Sequence, residues 1–447
     1  MKKWSGNSLR SGLLVWIFCQ AALGATGRQE QVRAVVDREY AGLFELYKHL
    51  HAHPELSFQE ENTSARVAEE LRAAGFTVTT GVGKHGVAGI LRNGQGPTVL
   101  VRTDMDALPV KEQTGLAYSS SVTAKDPDGK EVSVMHACGH DMNMTCVLGA
   151  ARVLSQIKDS WHGTLFVIGQ PAEERGAGAR AMLADGLFQK FPRPDYCLAL
   201  HDDAEMPAGA MACISGFSHA NVDSVDIIVH GVGGHGAYPQ KTKDPVVLAA
   251  QIVLALQTIV SREVEPGNPA VVTVGSIHGG TKNNIIPEEV RLQLTVRSYS
   301  DEVRNQTIDA IKRIVRGLGS AAGIPDDKLP EVKFPDDPLP GSYNDPELTA
   351  KISSVFKTWF GENNVVKKKP TMGGEDFGEY GRTAEKIPIF MFFFGGVSPE
   401  VFKESQKTGK TLPTLHSALW APLPEPTIKT GTTAMSAAVL ELMGKKD

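Results

Sequence analysis

Metal-type and acid–base side chains stand at five widely separated places in this chain of 447 residues, several of them just past a short apolar run. They are Asp104 with Asp106, the run His136-Ala137-Cys138-Gly139-His140-Asp141, the pair Glu173-Glu174, His201, and His416. Groups this remote can act together only if the fold carries them to one place. In open α/β sheets that place is the crevice at the carboxyl ends of the strands. The local patterning fits such a sheet. Residues 30–75 read as helical, with apolar periodicity over 36–50 and 65–71. Short strand-like runs follow at 76–80, 87–91 and 98–102, then a helix at 142–157 and strands at 165–168 and 196–200. Strands alternating with helices predict a sheet that is at least partly parallel.

The length exceeds one ordinary core, so two domains are expected. A change of pattern near Ala220 marks the second. Strand 225–229, helix 244–263, strands 271–277 and 290–296, helix 302–318 and strand 331–334 have the order βαββαβ, a self-contained ferredoxin-like unit. Pro245 suits the first turn of its first helix. The Pro-rich stretch 335–340 then returns the chain to the first domain, which ends with a helix at 347–360, a strand at 387–394 and a helix at 431–443. The expected fold class is α/β. A catalytic domain with a central mixed sheet and helices on both faces spans 30–216 and 335–447. The ferredoxin-like unit, 217–334, is inserted into it.

Composition narrows the function. Hydrophobic residues make up 41% and charged residues 22%, values of a soluble globular chain. A formal net charge of -5 gives no reason to expect nucleic acid, and the short run Lys367-Lys368-Lys369 reads as a solvated face. Residues 1–25 read as a cleaved export signal. Lys2, Lys3 and Arg10 form a basic start, residues 13–19 an apolar stretch too short to span a bilayer, and Ala22 and Gly24 the small residues near a cleavage site. A secreted or periplasmic location is therefore expected. Cys138, Cys146, Cys197 and Cys213 remain after cleavage, too few for a disulfide scaffold. The last three read most simply as buried apolar residues, and their pairing stays open.

Each cluster has a bland reading beside the chemical one. Asp104 and Asp106 share a face of an extended chain and can both enter a crevice, or they can simply cap a helix or turn. Cys138 and His140 suit a borderline metal, with Gly139 permitting close backbone approach; alone they are equally a buried cysteine and a loop histidine. His136 reads as structural, and Asp141 as a helix cap or an orienting group. Adjacent Glu173 and Glu174 repel one another, which is costly at a strand end unless cations offset it. One glutamate would then ligate metal while the other serves as a general base. His201 closes an apolar strand, and His416 cannot be placed from local pattern.

Longer strings carry a resemblance. LHAHPELSFQE at 50–60, VRTDMDALPV at 101–110, MHACGHDM at 135–142, GQPAEERGAGARAML at 169–183, HGVGGHGAYP at 230–239, GGTKNNIIPEEV at 279–290, MGGEDFGEY at 372–380 and LHS at 415–417 occur in order along nearly the whole chain. Together they resemble the zinc-dependent amidohydrolases and exopeptidases that include aminoacylases, carboxypeptidase G and hippurate hydrolase. The hippurate hydrolase and auxin-conjugate hydrolase branch is the nearest in pattern. The resemblance implies two divalent metal ions per subunit, zinc or manganese, with cobalt and nickel compatible. It implies Cys138, His140, Glu174, His201 and His416 as ligands, Glu173 as the base, and Asp106 as an aspartate orienting a ligand from behind. In the inserted domain it implies His235 as a histidine that polarises the substrate carbonyl. Asn284 and Arg297 would hold the amino-acid part of the substrate, Arg297 through a fork that pairs a carboxylate bidentately. It also implies a homodimer formed through that domain. Asn143 and Gln240 depart from the family pattern, which often has histidine at both.

The expected reaction is hydrolysis of the amide of a small N-acyl amino acid by metal-activated water. A dipeptidase or carboxypeptidase on the same scaffold is the alternative. A zinc deaminase is excluded, because its Pro-Cys-x-x-Cys pair is missing from the sequence.

Overall fold

The computed structural model describes residues 10–445. Two compact units result. The first comprises the chain up to Ser215 together with Asn344–Lys368 and the segment from Tyr380 onward; the second comprises Gly216–Tyr343 and Lys369–Glu379. The expected boundary at 334/335 therefore moves. Residues 335–343 and 369–379 pack with the inserted unit, the Pro-rich return included. The reason is backbone pairing: Leu339 and Val222 exchange hydrogen bonds of 2.8 and 2.9 Å, and Thr371 N–H donates to Ser218 O at 3.0 Å. Local pattern along 335–379 carries no sign of these pairings.

The first unit is built on an eight-stranded sheet. Its order is Thr77–Val82, Gly86–Asn93, Gly163–Gln170, Thr98–Asp104, Tyr196–Pro207, Ile389–Val397, Met211–Cys213, Val365–Val366. The four strands from Gly163–Gln170 to Ile389–Val397 are mutually parallel, and the antiparallel pairs lie toward the edges. Central parallel strands bury both faces, which explains the unbroken apolar run Ile389-Phe390-Met391-Phe392-Phe393-Phe394. Alternation persists in direction. Leu165 and Val167 join the main core, while Phe166 faces the other side, its ring 5.9 Å from that of Phe191. The helix His140–Gln156 lies on the core face against Pro424–Met443, and both pack on the long helix Arg10–Ala52. Close approach there needs glycine: a Cβ on Gly431 would stand 2.5 Å from Cys146 Sγ.

Strand pairing opens the crevice. Thr98–Asp104 pairs with Gly163–Gln170 along its full length, but with Tyr196–Pro207 only from Val99 to Arg102. Beyond Arg102 the two strands part, and Asp104 and His201 lie just past that fork.

The second unit has the βαββαβ order. Its antiparallel sheet runs Ala270–Gly279, Glu289–Ser298, Asn221–His230, Glu331–Lys333. Pro245–Thr258 and Asp301–Ala321 pack on it, started by side chains that satisfy orphan amides: Asp244 accepts from Val246 and Val247, and Ser300 from Val303. Among the described residues one helix, Pro245–Glu263, is long and apolar enough to cross a bilayer by length and composition alone. Here Leu248, Ala249, Ile252, Leu256 and Ile259 build it into the core of this unit.

Of the segment expected to act as an export signal, Lys2 and Lys3 lie outside the described residues, and Arg10 begins the helix Arg10–Ala52. The four remaining cysteines are all free thiols.

Candidate metal centre

Two loops and two strands of the first unit deliver the site. Gly139 adopts φ 74°, which turns the chain sharply between Cys138 and the helix beginning at His140. A Cβ there would lie 2.3 Å from the Asp202 carboxylate, so only glycine fits. His201 lies within the strand Tyr196–Pro207 rather than at its end, as the sequence pattern had implied. His416 takes φ 66° and its N–H donates to Ala137 O at 2.8 Å, which ties it to the Cys138 loop.

Six of the expected residues converge. One atom each of Cys138, His140 and His201 lie within 4.8 Å of one another, as do those of Cys138, Glu174 and His416. The same holds for His140, Glu173 and Glu174. Cys138 Sγ is 3.6 Å from His201 Nε2, and Glu174 Oε2 is 3.6 Å from His416 Nε2. His140 Nε2 stands 3.9 Å from Glu174 Oε1 and 3.8 Å from Glu173 Oε2.

The imidazoles are aimed by their other nitrogens. His140 Nδ1 donates to Asp106 O at 2.8 Å, and His201 Nδ1 donates to Asp202 O at 2.8 Å. Each Nε2 then carries the lone pair and points into the cluster. His140 Nε2 and Glu174 Oε1 are buried with no hydrogen-bond partner. A ring nitrogen and a carboxylate oxygen buried opposite each other without partners are costly unless a proton or a metal ion lies between them. A thiolate, three imidazoles and a carboxylate form a donor set suited to divalent transition metals, so the residues fit the metal requirement.

The electrostatics agree. Burial raises the Cys138 thiol pKa, and nearby Glu174 adds to the rise. Burial opposes charge on His140, yet Asp104, Asp106 and Cys138 hold its pKa well above the usual imidazole value. His201 is raised likewise, against burial, by Cys138 and Asp202. Burial pushes Glu174 up to about 7 against the pull of His140. These groups are crowded together in a way that protons or metal ions must neutralise.

Beneath them lies a buried polar layer. Asp104 is held at about 2, despite burial, by His140 and Arg102. Arg102 Nη1 donates to Asp104 Oδ2 at 2.6 Å. Asn143, one of the departures from the family pattern, donates to Asp104 Oδ1 at 3.1 Å and accepts from Asp202 N–H at 2.9 Å. Asp106 does more than orient one ligand: Oδ1 accepts from Glu173 N–H and Oδ2 from Glu174 N–H, each at 3.0 Å. His136 is buried with neither ring nitrogen bonded, and burial lowers its pKa to about 4. Asp141 accepts from His51 Nδ1 at 2.6 Å, while Glu112 accepts from His51 Nε2 at 3.0 Å. The expectation for Asp141 did not include His51 or Glu112. Nothing local to either residue signals a partner so many positions away.

His235, Asn284 and Arg297 belong to the second unit. His235 and Asn284 are neighbours there, since His235 pairs with Ile285 and Gly236 N–H donates to Asn284 O at 2.8 Å. Arg297 donates from Nη1 to Met372 O at 2.7 Å and from Nε to Thr295 Oγ1 at 3.2 Å. Gln240, the other departure, lies in the 3-10 turn Pro239–Lys241.

Such a centre at the fork of an α/β sheet defines a metal-dependent hydrolase. Comparison with known proteins places it more closely. Residues 100–407 match peptidase family M20/M25/M40. Thermostable carboxypeptidase 1 of Saccharolobus solfataricus is 36% identical over 407 residues, covering 90% of this chain and 96% of the relative. Hippurate hydrolase of Campylobacter jejuni is 40% identical over 344 residues, covering 75% and 84%. A crystal structure of the Bacillus subtilis YXEP protein, described as a dinuclear metal binding peptidase from the M20 family, superposes with a TM-score of 0.72 at 27% identity, covering 91% of this chain and 99% of that one. The chain belongs to peptidase family M20/M25/M40. It is a hydrolytic enzyme acting on amide bonds, in a family that contains dinuclear metal binding peptidases.

Proposed function

We propose that this enzyme hydrolyses the amide bond of small N-acyl amino acids, with Glu173 as general base. The observation that carries the reading is the clustering of Cys138, His140, Glu174, His201 and His416 in overlapping groups of close donor atoms, most of them buried and His416 exposed, with Glu173 beside His140. Those five residues would hold two divalent ions, zinc or manganese in the first instance. When bound, such ions lower the pKa of water and polarise a carbonyl. Glu173 then accepts the proton of the attacking water and passes it to the departing amine. Its carboxylate is about one-tenth exposed, open enough to meet substrate. Asp106 keeps Glu173 and Glu174 in register by binding both of their amides.

For His235, Asn284 and Arg297 the proposed roles are carbonyl polarisation and capture of the substrate's amino-acid part. The support is the pairing of His235 beside Asn284 and the fixed backbone anchor of Arg297. The named relatives include both a hippurate hydrolase and a carboxypeptidase, so cleavage of carboxy-terminal residues from short peptides is the second reading. A panel of hippurate, N-acetyl amino acids and dipeptides, run on metal-stripped and metal-restored enzyme, tests both. Turnover of peptides alone would replace the first reading with the second, and turnover that survives stripping would end both.

Export through a cleaved signal and assembly as a homodimer complete the proposal. The first rests on the basic and apolar N-terminal sequence, and amino-terminal sequencing of the mature protein tests it. The second is supported by apolar side chains left exposed on Pro245–Glu263 (Val246, Val247, Leu254, Val260) beside the unpaired edge strand Ala270–Gly279.

A further inference from the structure

Glu60 is fully buried in a segment that contributes no group to the chemistry described above. Its Oε1 accepts two backbone N–H groups, from Phe58 at 2.9 Å and from Ala172 at 2.8 Å. Both donors are non-glycine residues with left-handed backbones, at φ 62° and φ 51°. L-residues avoid that region unless their surroundings impose it. Ala172 directly precedes Glu173 and Glu174. Its amide begins a run of three consecutive N–H groups, all received by carboxylates: Ala172 by Glu60, then Glu173 and Glu174 by Asp106. Ser57, next to Phe58 in the chain, donates Oγ–H to the second of these carboxylates, at Asp106 Oδ2, at 2.6 Å. On its carbonyl side the turn is equally confined. Ala172 O accepts from Ala177 and Gly178 N–H at 3.2 Å, and a Cβ on Gly178 would fall 1.5 Å from Pro171 O.

We propose that Glu60 is a positioning residue for catalysis: by clamping the left-handed amides of Phe58 and Ala172 with one oxygen, it sets the direction in which Glu173 and Glu174 leave the strand. Glu60 itself touches no reacting atom. The inference rests on Glu173 being the base, and its test separates the two claims. A displaced base costs rate far more than binding, because proton transfer tolerates little error in position. Glu60→Gln retains an amide oxygen that accepts both N–H groups. Glu60→Ala leaves the buried Ala172 amide and the part-buried Phe58 amide without this acceptor.

The experiment compares Glu60→Ala, Glu60→Gln and Glu173→Gln with wild type, all reloaded with manganese. It reads kcat and KM on the best N-acyl amino acid of the panel, and hydrogen–deuterium exchange of the peptide spanning 169–176. Glu60→Ala is expected to lower kcat at least about tenfold with KM within about twofold, and to speed exchange at 172–174. Glu60→Gln is expected to stay within about threefold of wild type in kcat, with near-native exchange. Wild-type kcat together with unchanged exchange in Glu60→Ala overturns the proposal, and so does Glu60→Gln as impaired as Glu60→Ala. Full turnover in Glu173→Gln would instead overturn the base assignment. In that case the exchange data alone decide whether Glu60 holds the turn.

Discussion

At the scale of single residues, the centre ties up one nitrogen of each buried cluster imidazole. The Nδ1 atoms of His140 and His201 are spent on carbonyl oxygens, so their Nε2 atoms are left to face the gap. Glu173→Gln should retain both metals and lose at least about a hundredfold in kcat, the usual worth of a general base; metal analysis beside steady-state kinetics checks this. Arg297→Lys should raise KM for substrates bearing a free carboxylate by more than it lowers kcat, since an ammonium cannot reproduce the fork. Equal KM for acid and amide substrates in wild type would remove that role. His51 gives a pH prediction. Burial pulls its pKa down, but bonds to Asp141 and Glu112 overcome this and raise it from 6.5 to about 10. Because the folded value lies above the unfolded one, the clamp contributes fully below pH 6.5 and is lost as pH climbs toward 10. His51→Gln should therefore melt lower than wild type at pH 6, with the difference shrinking by pH 10. Melting curves that keep a constant separation across that range would contradict it.

At the scale of elements, turns decide where the proposed ligands go. The Gly139 turn starts the helix His140–Gln156 against Asp202, with no room for a methyl group. Gly139→Ala should weaken metal binding roughly 10–100-fold, as when a group that aims a ligand is disturbed. Competition against a chelator measures this. The same logic operates in the core, where Gly431 admits Cys146. Gly431→Ala should destabilise by about 1–3 kcal/mol through overpacking, without altering the metal centre.

At the scale of the whole molecule, the proposed homodimer would cover apolar side chains that the second unit leaves exposed. Leu254 is 73% exposed on a helix whose opposite side is core. Leu254→Glu should halve the mass seen by light scattering while the βαββαβ unit stays folded. A wild-type enzyme that is already monomeric at micromolar concentration would dispose of the homodimer. The fold was largely legible because periodicity is local: runs such as Val99-Leu100-Val101 and the capped helix after Asp244 announce themselves within a few residues. The boundary at 335–379 was not, because it depends on Leu339 and Thr371 pairing with distant backbone.

The metal-type residues were readable as chemistry before any fold was known, since thiol, imidazole and carboxylate groups have few other reasons to recur at the ends of apolar runs. The order of the strings also told which family the chain resembles. What sequence could not supply was the support beneath them: Glu60 under Ala172, Asp106 under both glutamates, and His51 between two acids. Those contacts join residues dozens of positions apart through single hydrogen bonds. A bond between remote atoms leaves no periodic trace along the chain, so only the folded backbone could decide it.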